Sequence, residues 1–339
     1  MTDGPDRSSV SQRLISGAAF ILDAPTEPVA AWGKGGEVLW SAEEPLLIAG
    51  PPGTLKSTLA AHLLLRRANV LTGDLLGYPV MGSDKKSLLI SADRPAQLAR
   101  SMRRMVPDES EFNLNDWLLV HRGPVPEMER NPTDWLASVC LEHGVGTLVL
   151  DSLKDIFLGL ASDEGGARTS QIIQACVAAG IDVIGIHHQR KGQSDNRTPR
   201  TLDDVYGSIW LTASAGSVVV LWGKAGDPVV QLLHLKQPAD EVGPLWLTHD
   251  PLTGALAVQG QSDPLDLLRS SSNGLTKREL GRLMFECQEP DRSQLEKARR
   301  RLEGLTERGL AHKTEGSRGG PGGGVPDRYH AITQMEVVQ

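Results

Sequence analysis

Between residues 45 and 260 the chain alternates short, wholly apolar runs with longer stretches of helical spacing. The runs are Leu46-Leu47-Ile48-Ala49, Ser87-Leu88-Leu89-Ile90, Trp117-Leu118-Leu119-Val120, Thr147-Leu148-Val149-Leu150, Val183-Ile184-Gly185-Ile186 and Val218-Val219-Val220-Leu221. An apolar run without polar alternation suits a strand covered on both faces, as in a parallel sheet. Helices between such strands supply the crossovers. The pattern therefore predicts an α/β domain of three layers over 41–258. The segments 228–235 and 245–248 read as an antiparallel extension of that sheet. Residues 1–40 read as a lead-in, loose and polar over 1–15, then with short apolar pieces such as Ala18-Ala19-Phe20-Ile21-Leu22.

After a polar linker at 256–264 the pattern changes. Leu265–Ser270, Thr276–Phe285 and Ser293–Gly309 each carry apolar residues at helical spacing. Thr276 with Glu279 three residues on forms a capping-box signature. Two short strand-like pieces, 310–313 and 328–332, flank a glycine-rich stretch from Gly316 to Gly324. Three helices and a hairpin over 265–335 follow the plan of a winged helix. Lys297, Arg299, Arg300 and Arg301 on its third helix then face DNA. The same plan serves protein binding, and the tail's nearly balanced charge leaves both uses open.

Composition narrows the function classes. The 339 residues carry a formal charge of −7, so any nucleic-acid contact has to be local. Cys140, Cys176 and Cys287 are too few and too far apart for a disulfide framework or a zinc cluster. No apolar run approaches the roughly 20 residues of a membrane helix, and Met1-Thr2-Asp3-Gly4-Pro5 does not begin a secretory signal. The expectation is a soluble, cytoplasmic protein.

The most specific chemistry lies at Gly50-Pro51-Pro52-Gly53-Thr54-Leu55-Lys56-Ser57-Thr58. An apolar strand leads in and a helical pattern leads out, which is the context of a phosphate-binding loop. Backbone N–H groups and the helix N-terminus receive the anion. Lys56 reaches the β- and γ-phosphates of ATP, and Ser57 holds Mg²⁺ through its hydroxyl. Leu55 stands where glycine usually precedes the lysine, so the loop has to form around a Cβ.

Three further strand ends carry polar groups. Asp151 closes Leu148-Val149-Leu150 and suits a Mg²⁺ partner acting through water. Asp93 follows Leu88-Leu89-Ile90-Ser91-Ala92 and reads either as the carboxylate that orients the attacking water or as a helix start paired with Arg94. His187 and His188 close a third strand on opposite faces, which suits a γ-phosphate contact better than zinc. Arg190, Lys191, Arg197 and Arg200 make the next loop basic. It either contacts single-stranded DNA phosphates or is simply solvated.

Together with 92–95, 149–153, 187–189, 204–208 and 234–237, these residues resemble RecA-like hexameric helicases of plasmids and phages, close to the DnaB type. More narrowly they resemble actinobacterial ATPases of mobile elements. The resemblance spans roughly 40–255. It implies a homo-oligomeric ring of six with ATP between neighbours. It also implies Asp93 as the catalytic carboxylate, His188 as a γ-phosphate sensor, and Lys236 as a basic finger reaching the adjacent subunit. Gln237-Pro238 follows Lys236 in place of the usual arginine. The resulting expectation is Mg²⁺-dependent ATP hydrolysis driving movement on single-stranded DNA in replication or mobile-element maintenance. The alternatives are a RecA-like ATP switch that loads or regulates another protein, and a DNA-binding regulator with a decayed ATPase domain. Lys56, Asp93 and Asp151 all being present counts against the last.

Overall fold

In the computed structural model, Leu46–Gly50 is a strand buried along its whole length, with parallel neighbours on both sides. The structure describes residues 14–125, 128, 131–188, 198–205, 209–259, 264–285, 287–307, 309–316 and 325–332. In chain order the strands are β1 (Ala30–Lys34), β2 (Glu37–Ser41), β3 (Leu46–Gly50), β4 (Lys86–Ser91), β5 (Leu118–Arg122), β6 (Val145–Asp151), β7 (Asp182–His188), β8 (Ser217–Trp222), β9 (Val229–Lys236), β10 (Leu245–His249), β11 (Leu256–Val258), β12 (Ala311–Thr314) and β13 (Arg328–Ala331). The helices are α1 (Gly17–Leu22), α2 (Lys56–Arg67), α3 (Pro95–Met105), α4 (Glu111–Trp117), α5 (Trp135–Glu142), α6 (Leu153–Ile156), α7 (Asp163–Ala178), α8 (Ile209–Ser214), α9 (Pro264–Ser270), α10 (Lys277–Met284) and α11 (Arg292–Glu307). The chain divides into two compact units, Met1–Ala257 and Val258–Gln339.

All six apolar runs form strands of one sheet, ordered β11-β10-β9-β8-β3-β7-β6-β4-β5. From β8 to β5 neighbours run parallel. The next two pairings, β8 with β9 and β9 with β10, are antiparallel. Strands β6 and β7 are buried almost throughout because helices cover both faces. Strand β5 differs: it closes the edge, and Val120 is half exposed despite its apolar run. Strand β11 adds an edge strand inside the segment expected to be linker.

The lead-in is more ordered than its sequence suggests. Strands β1 and β2 form an antiparallel hairpin that buries Trp32, Leu39 and Trp40 completely. It is tied to the sheet where the Ser217 hydroxyl donates to the Leu39 carbonyl at 2.6 Å. By contrast, Phe20, Ile21 and Leu22 of α1 are exposed. Residues 1–13 lie outside the described residues. Arg67, at the end of α2, is buried and bonded to Asp182 (2.6 Å), the Met81 carbonyl (2.7 Å) and the Thr147 hydroxyl (3.1 Å). A buried charge is tolerable only with such partners.

In the second unit, α9, α10 and α11 are followed by the antiparallel pair β12–β13. Leu275, between α9 and α10, bridges to Tyr329 on β13. Leu268, Leu280, Ala298, Leu302, Leu305 and Tyr329 form the core. The capping box forms: Thr276 N donates to Glu279 at 2.8 Å, and Glu279 N donates to the Thr276 hydroxyl at 3.2 Å. Most of the glycine-rich stretch, 317–324, lies outside the described residues. Among the described residues no helix is long and apolar enough to cross a membrane.

Candidate nucleotide site

Parallel strands end together, and β3, β4, β6 and β7 present their carboxyl ends along one edge, where open α/β sheets bind ligands. Register aligns the polar groups there. Gly50 pairs with His188 across β3 and β7, and Ser91 pairs with Asp151 across β4 and β6. The Ala92 N–H donates to the Asp151 carbonyl at 2.7 Å, which holds the chain leaving β4 over the end of β6.

The loop between β3 and α2 is shaped by two different constraints. Gly50 is obligatory by space: a Cβ there would lie 2.2 Å from the Leu221 carbonyl oxygen. Leu55 is strained by conformation. It has φ +66° and ψ 11°, left-handed, as the residue capping α2. That conformation costs a residue with a Cβ about 1–2 kcal/mol. The glycine missing from the motif is therefore missing at a position that glycine would occupy without strain.

Lys56 is buried, and its ammonium donates to the Pro51 carbonyl of the same loop at 2.5 Å. Burial pushes it down to about 8, against the field of Asp151, which holds it up; Lys154 pushes it lower. Asp151 is 3% exposed. Burial pushes its carboxyl up to about 6; a hydrogen bond from Ser57 and the charge of Lys56 oppose this, while Asp93 and Asp155 reinforce it. A buried carboxylate so short of positive charge, in one cleft with a serine hydroxyl, is an all-oxygen donor set that fits a hard cation such as Mg²⁺. Burial, reinforced by Lys56 and Lys154, pushes the His188 imidazole down to about 4, so it is neutral at pH 7. Its 4.0 Å approach to Asp93 is then no ion pair.

The structure brings Lys56, Ser57, Asp93, Asp151 and His188 into one cleft, with residues 52–58 as its floor. The helix α3 supplies Gln97, Leu98 and Ser101 as the opposite wall. Asp93 both lines the cleft and touches Arg94 at 3.3 Å, so pairing with Arg94 does not take it out of the cleft. Gln97 and Ser101 were not singled out from the sequence. Their signal was a one-turn spacing just after a strand-end carboxylate. Asp155 was also missed. It accepts from the Ser152 hydroxyl, and its carboxylate lies within 4.8 Å of ligand atoms of Asp93 and His188. His187 is buried while His188 lines the cleft, the alternation expected of a strand.

Other expected residues lie elsewhere or are already engaged. The Lys236 ammonium donates to the carbonyls of Thr212 (3.2 Å) and Ala213 (2.9 Å) in the last turn of α8. Such carbonyls lack helical partners and attract cations. Arg190, Lys191 and Arg197 lie outside the described residues; Arg200 is exposed. The cations of α11 are less available than their sequence implied. Arg299 is bonded to Glu303 at 2.7 Å and to Glu296 at 3.1 Å, and Arg300 approaches Glu296 at 3.6 Å. Acids one turn away on the same helix compete with any phosphate for these groups. Arg301 follows on the same helix.

Residues 7–194 match the family AAA_25, described as an AAA domain. The chain belongs to this AAA domain family. The matched span holds the phosphate loop, Asp93, Asp151 and His188, and it stops before Lys236. Membership carries ATP binding and hydrolysis as the coarse activity of this AAA domain. Two solved structures are similar in outline. A KaiC-like protein from the archaeon Pyrococcus horikoshii OT3 is 16% identical, with a TM-score of 0.49, covering 69% of this chain and 99% of its own. The other is the ATPase domain of a second protein, 14% identical, with a TM-score of 0.46, covering 76% of this chain and 99% of its own. No curated protein sequence matches the chain.

Proposed function

We propose that this AAA domain protein is a Mg²⁺-dependent ATPase whose turnover drives movement along single-stranded DNA in replication or mobile-element maintenance. One observation carries the reading: a phosphate-loop lysine and serine, a buried carboxylate and a strand-end Asp meet in one cleft. Lys56 holds the β- and γ-phosphates, and Ser57 and Asp151 hold Mg²⁺, Asp151 through water. Asp93 orients the attacking water, and His188 contacts the γ-phosphate as a neutral donor. When bound, Mg²⁺ neutralises phosphate charge. The reading includes a homo-oligomeric ring, six-membered as the DnaB-type resemblance implies, with DNA reached from the loop 190–200.

The second unit supports a winged-helix reading. Its order is helix, bridge, two helices and hairpin, with Leu275 bridging to Tyr329 at the edge of the hairpin. Duplex DNA is the proposed partner, through Arg299, Arg300 and Arg301. One observation favours the alternative of an ATP switch that loads or regulates another protein: Lys236 is held by its own subunit's helix end, which is unlike a finger free to reach a neighbour.

The deciding experiment measures ATPase rate with and without single-stranded DNA, beside strand displacement on a forked duplex. Stimulation with displacement supports the motor. Equal rates with no displacement overturn it and leave the switch.

A further inference from the structure

We propose that Arg94 supplies, within its own subunit, the arginine that stabilises the γ-phosphoryl group during hydrolysis. The inference rests on the ATPase reading of the cleft and replaces the finger expected from Lys236.

Position is the first argument. Of the described residues lining the cleft, the cationic ones are Lys56 and Arg94. Lys56 rises from the floor. Arg94 caps the start of α3, one residue after Asp93, and lines the same cleft. Lys154, a third cation nearby, is not among the lining residues. His188 is neutral at pH 7 because of burial, so it brings hydrogen bonding without charge. The side of the cleft that holds Asp93 thus takes its positive charge from Arg94.

Backbone conformation is the second argument. Among the described residues, the non-glycine residues with positive φ are Glu43, Leu55, Asn69, Leu76 and Arg94. Two of these five, Leu55 and Arg94, line the nucleotide cleft. Arg94 has φ +49° and ψ 56°. Pro95 follows it, which disfavours the right-handed helical region for the residue before the proline. Glycine or asparagine would take this conformation more cheaply. Backbone strain of this kind collects at active sites and ligand clamps.

Freedom to move is the third argument. The Arg94 side chain is 70% exposed, and its Nε lies 3.3 Å from the Asp93 carboxylate. An exposed pair of this kind is weak, so the guanidinium can exchange Asp93 for a phosphate oxygen. Bidentate recognition of phosphate is what a guanidinium does best. In the step proposed, the water oxygen bonds to the γ-phosphorus as its bond to the β,γ-bridging oxygen breaks. The electron pair of that bond leaves on ADP, and a water proton passes to Asp93 and then to solvent. Arg94 stabilises the charge gathering on the γ-phosphoryl oxygens. It also leaves the Asp93 carboxylate open to the water.

The test compares Arg94→Ala, Arg94→Asn and Arg94→Lys with the wild type in the full-length protein. Asparagine tolerates the left-handed region and guards against misfolding of the alanine variant. Three readouts are taken: kcat, affinity for ATPγS, and affinity for ADP with aluminium fluoride. Arginine contacts of this type are worth about 10³-fold or more in rate. The expectation is a fall in kcat of at least about 10²-fold in the alanine and asparagine variants, with lysine partly active. ATPγS affinity stays within about twofold, and aluminium fluoride affinity falls in step with kcat. Mixing Arg94→Ala with Lys56→Ala then separates cis from trans action. No recovery of activity supports a contact within the subunit. Recovery places the arginine on a neighbour and overturns the proposal, as does near-wild-type kcat in Arg94→Asn. A wild type that binds no ATP sinks the ATPase reading itself, a different outcome from binding with an indifferent Arg94.

Discussion

Ser57 and Asp151 lie side by side in the cleft, bringing the first turn of α2 to the last residue of β6. Neither residue could form the site alone. Ser57 is placed by the loop after β3, and Asp151 by a strand two positions away in the sheet, with β7 between. Together they offer an oxygen pair to a cation in a buried place. Ser57 only partly offsets the cost of burying Asp151, and that residual cost is measurable.

Asp151→Asn should make the ligand-free protein more stable at pH 7. Asp151 has its folded pKa raised to about 6 from an ordinary 3.8, so the folded state binds the extra proton between those values. Its contribution is greatest below pH 4 and is lost as pH rises through 6. The penalty at pH 7 is on the order of 3 kcal/mol, with the favourable field of Lys56 already included. Urea unfolding between pH 4.5 and 7 should show a falling contribution in the wild type that the variant lacks. The variant should also lose stabilisation by MgATP. Identical pH slopes would count against the buried, ionised carboxylate.

Lys56→Ala should weaken MgATP binding by about 2–4 kcal/mol, because a buried phosphate loses a charged donor. The pH dependence has a definite sign. The free lysine loses its proton above about 8. Above that pH, ATP binding should weaken in the wild type and take up a proton. Calorimetry in buffers of different ionisation enthalpy reads this uptake. Unchanged affinity in the alanine variant would remove Lys56 from the site.

Leu55→Gly should be neutral to stabilising, by up to about 1 kcal/mol. Relief of the left-handed strain is worth about 1–2 kcal/mol, and the added freedom of the unfolded chain takes back about 0.5–1 kcal/mol. Leu55→Val should be destabilising, since a β-branched residue is a worse fit at φ +66°. Chemical denaturation of both variants checks the pair. A glycine variant clearly less stable than wild type would mean that leucine packing outweighs the strain.

Asp93→Asn should lower kcat by roughly 10²-fold or more with little change in KM, because a water-orienting group acts in the transition state. Steady-state kinetics at saturating protein decide this. Near-normal turnover would pass the role to another carboxylate. Glu43 and Glu44, just before the strand that enters the phosphate loop, are the acids nearest to that loop in chain order. The structure points to Asp155, which lies beside Asp93 and His188, while neither glutamate lines the cleft.

Replacing Arg299, Arg300 and Arg301 with alanine should weaken DNA binding but lower its salt slope by fewer than three units. Each phosphate contact contributes roughly one unit. Arg299 is already held by Glu296 and Glu303, so it contributes less than a full unit. Fluorescence anisotropy over a salt series, with a chain truncated after residue 258 for comparison, measures the difference. Equal slopes for full chain and truncation would assign DNA contact to the loop 190–200.

Six central strands, the phosphate loop and the strand-end residues Asp93, Asp151 and His188 were legible in the order of residues alone. Both-face burial writes an unbroken apolar run, and a phosphate loop needs a local strand, turn and helix that are contiguous in the chain. The capping box before α10 was legible for the same reason, because its partners stand three residues apart. Other features came only with folding. The order of strands places β7 between β3 and β6, and so sets His188 beside Gly50. The hairpin of β1 and β2 became part of the first unit because Leu39 and Trp40 found distant partners. Arg67 looks like a surface cation at a helix end, yet it is buried against Asp182 from a strand far along the chain. Lys236 and Arg299 read as available charges until helix-end carbonyls and neighbouring glutamates were in place. Local pattern reports a residue's periodicity and chemical type. Which partner a charge meets depends on contacts between segments far apart in sequence, and only the folded chain brings these together.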